Sequence, residues 1–107
     1  MVRSWKKLDK FNSKLKTEEM DYFLNAILQL ENIDECYRFF EDVATINEIK
    51  SLVQRFQVAK MLKDKKTYTD IAEHTGASTA TISRVNRCLN YGNDGYKLIL
   101  ERLKLKK

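Results

Sequence analysis

Thr79, Ala80, Thr81, Ser83, Arg84 and Arg87 lie within one short stretch and are all small, hydroxylic or basic. In a DNA major groove, Thr and Ala methyls can touch a thymine methyl, hydroxyls can serve either base edge, and a guanidinium can fork onto guanine. Ser78 just before them can cap a helix whose first amides face phosphate. This is chemistry for recognising a surface, not for breaking a bond.

Such residues need a helix to carry them and a second element to hold that helix. The stretch from Thr67 to Asn90 supplies both. Thr67 is a candidate N-cap with Asp70 favouring the positive helix end, and the first helix spans Tyr68 to about Thr75, burying Ile71 and Ala72. Gly76 suits a left-handed turn, Ala77 faces inward, and Ser78 opens a second helix. There Ile82, Val85 and Leu89 make one apolar stripe, leaving the small and basic residues opposite. The pattern is that of a helix-turn-helix DNA reader. A water-facing pair of capped helices would share its spacing.

GASTATISR followed by VNRCLNYGNDGYKLILERL resembles the Trp-repressor-like family, and within it the bacterial YerC/YecD type. The resemblance runs over about residues 20 to 103, and Gly76 to Arg87 is its most specific part. It implies an all-α helix bundle with a helix-turn-helix, assembled as an intertwined homodimer that regulates transcription, with double-stranded DNA as partner. On that footing, Ser78 to Arg87 is the base-reading segment. Arg84 contributes base or phosphate contact and Arg87 mainly phosphate, with Thr67, Tyr68 and Thr69 on the flanking backbone. The family's ligand, an indole, lies between two arginines, the second followed by a glycine. Arg84 matches that second arginine and Arg55 matches the first if the spine is shifted by one residue; without a gap the position is Gln54. Val85 stands where the glycine would be. A branched side chain there fills space the indole needs, so no cofactor is expected and tryptophan is not expected as co-repressor. Arg55, Arg84 and Val85 would mark the pocket of any other small-molecule effector.

The 107 residues carry 43% apolar and 33% charged side chains and net charge +5. That fits one soluble domain whose several helices bury their stripes better as a dimer. No apolar run is long enough for a membrane span and no signal-peptide pattern is present, so a cytoplasmic, nucleoid-associated protein is expected. Cys36 and Cys88 lie on apolar helical patterns and read as reduced core residues. His74 is the only histidine, without ligand spacing around it, which disfavours zinc; no catalytic triad or phosphate-binding glycine loop is present, and no enzyme is expected.

Charge is unevenly spread, with residues 1–16 basic, 17–50 acidic, and the rest basic again. The expected organisation is a basic N-terminal arm over 1–16, with Trp5, Leu8, Phe11 and Leu15 at helical spacing, then the helix-turn-helix domain over 17–107. Within it Thr17 caps a helix that Asn32 ends, and a very apolar helix begins at Asp34. Thr45 to Glu48 form a capping box. The spine helix after it carries Ile49, Leu52, Val53, Phe56, Ala59 and Leu62 inward and Lys50, Gln54, Arg55, Gln57 and Lys60 outward. Lys65 and Lys66, in the turn before the reader, are candidates for phosphate contact. After the reader, Gly92 suits a C-cap, Asp94 an N-cap, and Tyr96, Ile99, Leu100 and Leu103 a last amphipathic helix. Two rival functions share these features: an origin-type DNA binder, and a protein-interaction adaptor that reuses the fold.

Overall fold

Five of the helix starts among the described residues are fixed by side-chain oxygens that accept from otherwise unpaired amides. The computed structural model describes residues 11–105, and these form six helices and no strand. They are α1 (Glu18–Ile27), α2 (Ile33–Val43), α3 (Ile46–Lys63), α4 (Tyr68–Thr75), α5 (Thr79–Tyr91) and α6 (Gly95–Leu105). The chain divides into two compact units, residues 1–40 and 41–107.

In the first unit, Thr17 Oγ1 accepts from Met20 N at 2.9 Å and starts α1, with Glu18, Glu19 and Asp21 in the first turn. Asn32 does not end α1, which stops at Ile27; its Oδ1 accepts from Glu35 N at 2.9 Å and opens α2 one residue earlier than Asp34. An asparagine between two helices serves either end, and here the cap wins. Phe39 stands edge-on to Phe40, with centroids 5.3 Å apart, and lies 6.0 Å from Phe23. No residue of α1 or α2 is buried. The arm expected over 1–16 lies outside the described residues up to position 10; over 11–16 the chain is not helical but makes a turn, with Ser13 Oγ accepting from Leu15 N. Cys36 is half-buried.

The second unit holds the core. Thr45 and Glu48 form the capping box in both directions, at 3.1 and 2.8 Å, and launch α3. The C-terminal half of α3 packs on α4, α5 and α6, while α5 packs on α4 and α6. Val58, Ala59, Ile71, Ala77, Ile82, Val85, Leu89 and Leu100 are buried together, with Phe56, Met61, Leu62, Ala72 and Tyr96 packed around them. Two faces differ from expectation. On α3 the buried pair is Val58 and Ala59, whereas Leu52 and Val53 are about half exposed, because the partner helices cover only the later turns. On α6, Leu100 is buried but Ile99 and Leu103 remain exposed. Cys88 is likewise exposed, because it precedes Leu89 off the buried stripe of α5.

The end of α3 is closed by Lys65 N donating to Leu62 O and Lys66 N to Met61 O, both at 3.0 Å. This is a Schellman pair, and its left-handed residue is Lys65 at φ 66° rather than the usual glycine. A left-handed L-residue costs about 1–2 kcal/mol, partly offset by the extra backbone entropy glycine loses. Lys65→Gly should therefore raise stability by up to about 1 kcal/mol in urea unfolding.

Candidate nucleic-acid interface

The reader is built from three caps. Thr67 Oγ1 accepts from Asp70 N at 3.1 Å and starts α4. Gly76 ends it at φ 73°, a conformation that L side chains rarely adopt, and donates to Ala72 O at 2.9 Å. Ser78 Oγ accepts from Thr81 N at 3.1 Å and starts α5. The turn is locked from both sides: Thr75 Oγ1 donates to Ile71 O at 2.7 Å and accepts from Ala77 N at 3.1 Å. Gln54, expected to face solvent, reaches across from α3 and donates its Nε2 to Thr75 O at 3.0 Å. That satisfies a carbonyl at the end of α4 and pins the reader to the spine.

With α5 held this way, its two faces separate. Ile82, Val85 and Leu89 are at most 6% exposed and form part of the core. Thr79, Ala80, Ser83, Arg84 and Arg87 are exposed on the opposite side. Thr81 is half-buried, and its hydroxyl lies 3.1 Å from that of Ser78, so both hydroxyls are engaged in the cap. Thr67 spends its oxygen the same way, while Tyr68 and Thr69 are exposed beside it. Lys65 and Lys66 are exposed just before α4. The structure thus brings the expected reading residues, apart from Ser78 and Thr81 in the cap, onto one side of α5 and the expected backbone residues to the start of α4.

None of the residues named for an effector pocket lines either of the two cavities described below. Val85 is 1% exposed within the core, Arg84 is exposed, and Arg55 is half-buried. Arg55 and Cys88 both influence Tyr96, whose phenol is pushed up by burial and by Cys88 and pulled down by Arg55. Described residues of this unit line these two cavities. The larger, about 790 Å³, is lined by Phe56, Met61, His74, Leu100 and Leu103 and bordered by the Lys60–Asp64 ion pair. The hydrogen bond from Lys60, at 2.6 Å, holds the Asp64 carboxyl below its ordinary pKa. His74 is exposed, with Nδ1 3.0 Å from Asp70 O. The smaller cavity, about 550 Å³, involves Asn86, Asn90 and Lys97, none of them evident from sequence, because they meet only when α6 folds back beside α5.

The loop after α5 requires Gly92: a Cβ there would meet the Cys88 carbonyl oxygen at 2.4 Å. Asp94 takes φ 66°, and its carbonyl accepts from Leu98 N at 2.9 Å. Among the described residues no cluster of His, Cys, Asp or Glu is arranged to hold a metal ion, and no helix is long and apolar enough to cross a membrane.

Comparison with known proteins agrees with this architecture. Residues 18–104 match the family model described as Trp repressor protein. The uncharacterized protein YerC of Bacillus subtilis (strain 168) is 59% identical over 91 residues, covering 85% of this chain and 88% of that protein. A TrpR-like protein from Eubacterium eligens superposes with a TM-score of 0.83 at 67% identity, over 87% of this chain and 96% of that one. A candidate Trp repressor from Staphylococcus aureus gives 0.82 at 56% identity, over 85% and 91%. The chain belongs to the Trp repressor family, a family of DNA-binding regulators.

Proposed function

We propose that the protein is a homodimeric, sequence-specific transcriptional repressor that reads a pseudo-palindromic operator with α5. The observation that carries this reading is the division of α5 into a buried stripe and an opposite side of Thr79, Ala80, Ser83, Arg84 and Arg87, all exposed. Arg84 and Thr79 serve base edges, Arg87 and the residues Tyr68 and Thr69 serve the backbone, and the caps at Thr67 and Ser78 aim helix amides at phosphate. Dimerisation is supported by exposed apolar side chains in each unit. In the first unit Tyr22, Leu28, Ile33 and Tyr37 are each more than 60% exposed. In the second, Ile46, Leu52 and Val53 are more than half exposed. A subunit interface is the usual destination of such surface. The protein works in the cytoplasm, on the nucleoid.

Tryptophan is not the co-repressor in this reading. Gln54, at the ungapped clamp position, is committed to the Thr75 carbonyl, and Val85 occupies the core. Titration of L-tryptophan by calorimetry should show no binding that raises DNA affinity; tight, DNA-coupled binding would contradict this part.

The proposal as a whole is tested by light scattering combined with duplex titration at several salt concentrations. A particle of about twice 12.6 kDa is expected, with affinity falling steeply as salt rises. A monodisperse monomer would remove the dimer, and a flat salt response would favour the adaptor.

A further inference from the structure

Two side chains of α5 have no part in the reading just proposed. Asn86 and Asn90, with Lys63, Lys65, Lys66 and Lys97, line the cleft of about 550 Å³. Leu62 and Leu89 complete the lining, and no carboxylate contributes to it. Among the described residues the ion pairs are Lys16–Asp21 and Lys60–Asp64, neither of which includes a lysine of the cleft, and of the four Lys66 acts on the Asp64 carboxyl through space. Asn90 Nδ2 donates to the Asn86 carbonyl at 3.0 Å and to Asn86 Oδ1 at 3.3 Å. The Asn86 amide oxygen thus accepts one bond, and its Nδ2 is the donor this side chain has to offer a ligand.

Two further features point to an anion. Like charges held together repel, and a counter-ion of matching charge relieves that cost. Lys65 also sits at φ 66°, in the left-handed position where glycine would be cheaper. A strained residue at the edge of a cleft is the kind of outlier from which function is inferred. The volume falls within the range of small-molecule sites, roughly 300–1,000 Å³, but the walls are polar and basic rather than apolar. A DNA phosphate brings one negative charge. Four lysines lining one cleft suit adjacent phosphates on a single small ligand.

We infer that this cleft binds a small polyphosphate, such as a nucleoside triphosphate or an inorganic one, with the lysines as point charges and the Asn86 amide as the directional donor. Lys65 and Lys66 are also the candidates for phosphate contact in the turn before the reader, so an occupied cleft opposes DNA binding. That last step rests on the proposed function; the binding itself does not.

The test is calorimetric titration of sodium tripolyphosphate into the full chain, into Lys97→Gln and into Lys50→Gln, whose lysine is exposed and outside the cleft. Saturable binding to the wild type is expected, about tenfold weaker for Lys97→Gln and about unchanged for Lys50→Gln. The Asn86 side-chain amide should shift in nuclear magnetic resonance spectra during the titration. Absence of saturable binding, equal weakening in both variants, or a silent Asn86 amide would overturn the inference. A random-sequence duplex titrated into the same proteins separates the sources of phosphate. Duplex binding without tripolyphosphate binding means the lysines serve the strand alone, which removes this inference and leaves the regulator. Tripolyphosphate binding as described without duplex binding supports the inference and removes the regulator.

Discussion

Ile82→Ala should destabilise the protein by about 2–5 kcal/mol, the range for truncating a fully buried aliphatic side chain whose surroundings cannot collapse into the space. Ile82 is 0% exposed and packs in the same cluster as Val58, Ile71 and Val85, so the cavity would open where α3, α4 and α5 meet. Domains of this size are stable by only about 5–15 kcal/mol. The variant should therefore show a large shift in its urea midpoint, and DNA binding should fail as the unfolded fraction grows. A change below about 1 kcal/mol would mean the core is not organised around α5.

Arg84→Ala and Thr79→Ala should relax sequence discrimination, whereas Arg87→Ala should weaken binding to all duplexes alike. Loss of a bidentate base contact costs about 1–3 kcal/mol of discrimination, and loss of one phosphate contact lowers the salt slope by roughly one unit. Competition between specific and random duplex at fixed salt measures the first; a salt series measures the second. Arg84 and Thr79 are both exposed and make none of the core contacts, so their removal should leave the unfolding midpoint almost unchanged. If discrimination survives both substitutions, the bases are read elsewhere.

How far the sequence could be read followed from the range of the interactions involved. Thr67, Gly76 and Ser78 set both ends of α4 and the start of α5 through contacts within a few residues, and these bounds are as the spacing predicts, while α5 runs on to Tyr91, one residue past the expected Asn90. The capping box at Thr45 is equally local. Asn32 was ambiguous for the same reason, since a polar residue between two helices can cap the second instead of ending the first. On α3 the apolar residues allow more than one stripe, and only the position of α4, α5 and α6 selects Val58 and Ala59 over Leu52 and Val53. Gln54 looked like a surface residue because its partner, the Thr75 carbonyl, lies 21 positions away. The cleft joining Lys65 to Asn86 and Lys97 is longer-range still, and no local pattern announces it.

The central claim is that α5 reads a particular DNA sequence, and selection of bound duplexes from a random pool tests it most directly. The account predicts enrichment of one pseudo-palindrome, with half-sites about one helical turn, roughly 34 Å, apart. It also predicts that Arg84→Ala broadens the enriched set at one position of each half-site. Recovery of no enriched sequence, or of the same sequences by Arg84→Ala and Thr79→Ala as by the wild type, would contradict it.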